Sequence, residues 1–267
     1  MKALTLVAAL LSATAAPALA TSSSWDDIRS ALFGSRTLAN GDRMIAIDAP
    51  YRTPDDARAQ LAAHIVAPPG LRLARVMVVL DENPMPVSAV FDLDVPQPSF
   101  FFDITMRVNG PTPLHVVAET SDGQLFVSET FVKTSGLGAC SAPPGQDPDA
   151  ALASLGEMTI ELAGQLPVTS ASDILNRFNR MDVDIDHPSH SGMQMDQISL
   201  LYIPMRYVES VEIDLDGAGY VDLTGSISLS ENPRVGISVP SRTRSVDVTM
   251  TDTDGTVTHA HKSLAGY

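Results

Sequence analysis

"LHVVAETSDGQLFVSETFV", Leu114–Val132, decides the fold class. On both sides of Asp122-Gly123, apolar, β-branched and aromatic residues recur with a period of two, and an Asp-Gly between two alternating runs is a strong hairpin signal. The same grammar extends outward in both directions. Upstream it appears in "RMIAI" (43–47), "LARVMVVL" (73–80), "VSAVFDL" (87–93) and "FFDITMRV" (101–108). Downstream it appears in "EMTIELA" (157–163), "DVDID" (182–186), "SLLYIPM" (199–205), "VESVEIDL" (208–215), "GYVDLTGSISL" (219–229), "VGISV" (235–239) and "SVDVTMTDTDGTVTHA" (245–260). Short runs punctuated by Pro, Asn-Gly and Asp-Gly are the pattern of a β-sandwich. "DDARAQLAAHIV" (55–66) suits either a helix or a strand, and the alternation of Ala59, Leu61, Ala63 and Ile65 favours a strand. A short N-terminal helix precedes all of these. Ser24 can cap it, Asp27 sits three residues on, Trp25, Ile28, Leu32 and Phe33 form its apolar stripe, and it should end near Gly34.

Two echoes relate the halves. "LDENP" at 80–84 matches "LSENP" at 229–233, each read as closing a hydrophobic strand, and "ETSDG" at 119–123 matches "TDTDG" at 251–255. The expected architecture is all-β, two sandwiches in tandem, the first with about 17 extra residues between its landmarks. Between them, "SGLGACSAPPGQDPDAALASLG" is rich in Gly, Pro, Ala and Ser, which marks a linker.

The chain opens with Lys2, an apolar run from Ala3 to Ala16 and Ala18-Leu19-Ala20 ahead of Thr-Ser-Ser-Ser, the pattern of a secretory signal peptide over residues 1–20. No stretch reaches the ~18 apolar residues of a transmembrane helix, and no Cys follows the cleavage site to carry a lipid. A periplasmic product is expected. With 17 basic and 32 acidic residues the net charge is −15, and −16 once Lys2 is removed. Such a surface repels phosphate backbones and anionic membranes, so neither nucleic acid nor membrane is an expected partner.

The chain has one cysteine, Cys140, in the linker. A single thiol in an exported protein closes no internal disulfide, so it is buried, paired with another chain, or kept for reaction. Gly136, Gly138, Ala139 and Ser141 offer little side chain to build a core around it, and Pro143 and Pro144 exclude a helix or central strand, which favours an exposed thiol. From Thr134 to Cys140 an extended arm reaches ~20 Å, and the glycines leave it free to bend. Lys133 is the only nearby cation, so the thiol would be a poor catalyst by itself and a serviceable handle for other proteins.

At this point the residues carry a family resemblance. "WDDIRSALFG" (25–34), "TFVKTSGLGACSAPP" (130–144), "HPSHSGMQMDQISLLYIPMRYVESVEI" (187–213) and "SISLSENP" (226–233) resemble a fused form of the sulfur-oxidation carriers SoxY and SoxZ, of the single-chain type associated with quinoprotein dehydrogenases. The resemblance implies two immunoglobulin-like sandwiches: a SoxY-like domain over 21–138, a flexible arm over 139–153 and a SoxZ-like domain over 154–267. It implies that Cys140 is the covalent attachment site for sulfur intermediates, with Gly136 and Gly138 in the arm. It also implies a carrier without catalysis of its own and without a cofactor, served by periplasmic sulfur-oxidising enzymes or a quinoprotein dehydrogenase system. The family's free Gly-Gly-Cys-Gly-Gly-type tail is replaced here by an arm tethered at both ends. The other readings are a non-covalent interaction module with Cys140 incidental, and a thiol enzyme, for which no base lies nearby in sequence.

Other constellations are weaker. "GLGACS" lacks the third glycine and the helix start of a dinucleotide loop. Asp182, Asp184 and Asp186 have calcium-loop spacing but alternate with Val183 and Ile185, as an acidic strand face does. His187 with His190, and His259 with His261, could each offer two metal ligands, but nothing is spaced to complete either set, so hydrogen-bonding or solvated histidines are expected and no metal site.

Overall fold

A computed structural model describes residues 24–166 and 178–264 of the 267-residue chain. The expected signal peptide, residues 1–20, lies outside the described residues. The period-two segments fold as strands. In the first half these are β1 (Leu38–Asn40), β2 (Ile45–Asp48), β3 (Ala59–Val66), β4 (Leu73–Leu80), β5 (Val87–Gln97), β6 (Ser99–Met106), β7 (Thr112–Thr120) and β8 (Leu125–Val132). In the second they are β9 (Met158–Gln165), β10 (Phe178–Ile185), β11 (Val208–Leu215), β12 (Ala218–Thr224), β13 (Arg234–Pro240), β14 (Ser245–Asp252) and β15 (Val257–Ser263). The ambiguous 55–66 segment is a strand, β3. Helix α1 (Ser24–Phe33) comes first and ends at Gly34, whose positive φ of 57° turns the chain out of the helix. Trp25 of α1 stacks flat on His115 of β7, ring centroids 3.8 Å apart.

The halves share one plan. In the first, β2-β3-β6 faces β8-β7-β4-β5; in the second, β9-β10-β13 faces β15-β14-β11-β12. They are not separate beads on a linker. β5 pairs antiparallel with β12 (Leu93 opposite Val221) and β6 with β13 (Ile104 opposite Val235), so both layers run on from one half into the other. The result is a single sandwich of a nine-stranded and a six-stranded sheet. Left alone, each half would present a bare strand edge in both layers, and such edges are templates for further pairing. The core is continuous across the junction: Phe91, Phe100 and Phe102 pack in the first half and run into Val221, Leu223, Val235 and Ile237 of the second, all essentially fully buried.

Three expectations change. "SLLYIPM" is not a strand: its alternation is broken by Pro204, and Leu200, Leu201 and Tyr202 are exposed in a hairpin-like tongue. The "ENP" echo is not a fold repeat, since Leu80 ends β4 whereas Leu229 lies in the connection from β12 to β13. The strand equivalent to β4 is β11, and measured from there the halves run to nearly the same length, so the 17 extra residues of the first half vanish. The Asp-Gly echo does mark equivalent hairpin turns, β7–β8 and β14–β15. The linker is ordered: Ala139–Ser141 forms one 3-10 turn and Pro148–Ala153 a short helix, α2, capped by the Asp147 carboxylate on the amides of Asp149 and Ala150.

Candidate functional site

The site is built where the exit of β8 crosses the loop that follows β10. Cys140 is completely buried, which overturns the expected exposed thiol on a bending arm. Local side chains could not bury it, as the composition argued; distant ones do. The arm is pinned along its length. The Ser135 amide and hydroxyl donate to the Asp56 carboxylate, the shortest contact 2.6 Å. The Gly138 amide donates to the Asn109 carbonyl (2.7 Å), and the Cys140 amide to the Asn109 side-chain oxygen (3.1 Å). Gly138 has φ of 91°, so it sets the left-handed entry to the 3-10 turn instead of serving as a loose hinge. A side chain at Gly136 would meet nothing within 4 Å.

The segment clasped to the turn that carries the thiol, its lid, is "HPSHSGMQMDQ". The Ser191 hydroxyl donates to the Cys140 carbonyl, and the Gln194 amide nitrogen donates to the Ala142 carbonyl at 3.0 Å. The Gln194 oxygen faces His190 Nδ1 at 3.1 Å and accepts from the Ser191 amide at 3.3 Å. His187 anchors the segment. Its Nδ1 accepts from the Ser189 amide (2.9 Å), which leaves the proton on Nε2, facing Asp252 at 3.4 Å. Burial drives its pKa down to about 4, against the pull of Asp252, so His187 is neutral at pH 7. Asp252 is the last residue of β14, at the entry to the β14–β15 turn, and also holds Arg206 at 2.8 Å.

Beneath the lid lies Arg107, 2% exposed. Its Nη1 donates to the carbonyls of Ser189 (2.7 Å) and Leu229 (2.5 Å). Asn83 organises this floor: its amide nitrogen donates to the Arg107 carbonyl (2.8 Å) and its oxygen accepts from the Asn109 amide (2.9 Å). Asn232 does the same for the lid, accepting from the His187 amide at 3.0 Å. The two "ENP" asparagines thus serve one site from opposite halves, though they are not topological equivalents. Burial pushes the Cys140 thiol up to about 11, and the nearby Arg107 charge opposes this only in part.

Arg107, Asn83, Asn109, Ser191 and Gln194 were not singled out in the sequence reading. The repeated "ENP" and the lid segment were the available signals. The other candidates sit apart. His259 and His261 lie exposed on β15, bonded across to Thr249 and Asp247. Asp182 and Asp184 pair with Arg180 and Arg234 on the outer face of the six-stranded sheet, and Asp186 lies just beyond β10. Past the lid, the tongue closes through backbone bonds from Ile203 to Gln194 and from Asp196 to Leu201, and its tip exposes Ile198, Leu201 and Tyr202. Between the tongue and Pro143, Pro144 and Pro148 lies a cavity of about 330 Å³.

Two family models match in tandem: sulfur oxidation protein SoxY over residues 29–140 and sulphur oxidation protein SoxZ over residues 172–263. No curated protein matches the chain. Among solved structures, the sulfur carrier protein SoxY of Chlorobium limicola f. thiosulfatophilum is similar at 24% identity over 43% of this chain and 99% of that one, with a TM-score of 0.35. A β-glucuronidase of Parabacteroides merdae is similar at 9% identity over 83% of this chain and 24% of that chain, with a TM-score of 0.24.

Proposed function

This chain is a fusion of a SoxY-family and a SoxZ-family sulfur-oxidation domain, and from that premise we propose that it carries sulfur intermediates covalently on Cys140 and presents them to partner enzymes. The observation that carries the reading is the placement of the only cysteine: at the end of the SoxY match, under a lid supplied by the SoxZ match. A thiol held under polar side-chain latches on a short turn can be released by breaking a few hydrogen bonds. One packed among core strands could not.

Loading replaces the S–H bond of Cys140 by a sulfur–sulfur bond. With thiosulfate as cargo, the thiol proton and two electrons leave, the electrons going to a partner oxidoreductase, and –S–SO₃⁻ remains on the cysteine sulfur. A partner then acts on the pendant group while it stays on the cysteine: hydrolysis takes up one water, releases sulfate and a proton, and leaves a persulfide on Cys140. The partners in this reading are periplasmic sulfur-oxidising enzymes or a quinoprotein dehydrogenase system, and the apolar tongue tip beside the lid offers them a contact surface. With a pKa near 11 the closed thiol holds roughly one thiolate in ten thousand at neutral pH. That favours a guarded handle over a thiol enzyme.

The complete burial of Cys140 also favours a second reading, a non-covalent interaction module in which the cysteine only packs. Cys140→Ser in the native host separates the two. A carrier loses all sulfur-dependent activity of its pathway while the variant stays folded and abundant. Retention of that activity by a folded Cys140→Ser protein rejects the carrier reading.

A further inference from the structure

Arg107 is a buried cation in search of a counter-charge. It is 2% exposed, and every hydrogen bond its guanidinium makes among the described residues leaves from Nη1 and ends on a backbone carbonyl: Ser189 at 2.7 Å, Leu229 at 2.5 Å and Ile227 at 3.5 Å. No carboxylate among the described residues forms an ion pair with it. Glu231 contributes to its field, but that carboxylate accepts from the Gly145 amide at 2.9 Å. A guanidinium taken out of water without a partner costs several kcal/mol, and its Nε and Nη2 donors are suited to a two-point contact with an oxoanion.

The neighbouring group is Cys140. Arg107 and Asn109 lie two residues apart, and the Cys140 amide is bonded to Asn109 while Asn83 fixes both from behind. The lid closes over both at once, Ser189 onto Arg107 and Ser191 onto Cys140. We infer that Arg107 is the counter-ion of an anionic group carried on the Cys140 sulfur, so that the closed turn favours sulfonate-terminated cargo over neutral cargo. The inference rests on the carrier reading and deepens it: the site beneath the lid holds charge-matched cargo besides hiding a bare thiol. Arg107 acts here as a binding and positioning residue.

The test compares two adducts on the full chain. Tetrathionate leaves –S–SO₃⁻ on the cysteine sulfur and releases thiosulfate. Methyl methanethiosulfonate leaves the neutral –S–CH₃ and releases methanesulfinate. In the wild type the anionic form should melt higher than the neutral form, and amide exchange of Ser189 and Ser191 should be slower by about tenfold, the worth of one charge-assisted hydrogen bond. In Arg107→Gln the gap should close, and Arg107→Lys should keep part of it. A neutral wild-type adduct that melts as high as the anionic one overturns the inference without recourse to any variant, as does a gap that persists in Arg107→Gln. Both adducts are formed in denaturant and the chain is then refolded, so loading does not depend on the lid; a wild-type chain that refolds with neither adduct sinks the carrier reading, and this inference with it. One that refolds with both without preference sinks the inference alone.

Discussion

At the scale of the residue, the thiol of Cys140 is held protonated by burial up to about pH 11, with Arg107 pulling the other way. The folded state therefore keeps a proton that the unfolded chain, near its ordinary value of 9.0, gives up. Stability is untouched below about pH 9 and falls as pH rises towards 11, by up to about 3 kcal/mol for a two-unit shift. Denaturant unfolding at pH 8 and at pH 11 should show wild type losing more stability than Cys140→Ser over that interval. Parallel losses would mean that the thiol already faces water. His187 works in the opposite sense. Its folded pKa is depressed to about 4, so its contribution is complete above about 6.5 and is lost as pH falls through 4. An NMR titration should find the His187 ring neutral down to about pH 4. A midpoint near 6.5 would contradict its burial against Asp252.

At the scale of the element, the lid is a set of small bonds on a stiff support. Ser191 and Gln194 each hold a carbonyl of the Cys140 turn, and a net hydrogen bond contributes about 1 kcal/mol. Removing either as Ser191→Ala or Gln194→Ala should speed iodoacetamide labelling of Cys140 roughly fivefold, and removing both more than tenfold, with little change in the overall unfolding midpoint. An unchanged labelling rate would mean that the thiol opens by another route. The strands were legible because period-two patterning and Asp-Gly turns are local signals. The burial of Cys140 was not, since its lid lies about fifty residues away and its floor about thirty. Gly138 looked like a source of freedom, yet its positive φ is what shapes the turn. The "SLLYIPM" run alternates like a strand, but no neighbour strand pairs along it and the apolar side chains point into solvent.

At the scale of the whole molecule, the joined sheets make two domains into one folding unit. The β5–β12 and β6–β13 ladders and the continuous core tie the stability of each half to the other. Calorimetry should give a single transition whose van't Hoff and calorimetric enthalpies agree. Two resolved transitions would mean that the halves fold independently. This junction escaped the sequence because either half reads as a complete sandwich, and nothing local distinguishes an edge strand that meets solvent from one that meets another half. The junction also keeps Cys140 on one half and the segment clasped to its turn on the other in a fixed relation, so in the proposed carrier the thiol is freed by release of the lid and not by drift of the halves. The most direct test is intact-mass analysis, with mapping to the Cys140 peptide, of protein purified from native cells growing on reduced sulfur. A sulfur-containing adduct confined to Cys140 is the predicted result, and a bare thiol throughout under those conditions would contradict it.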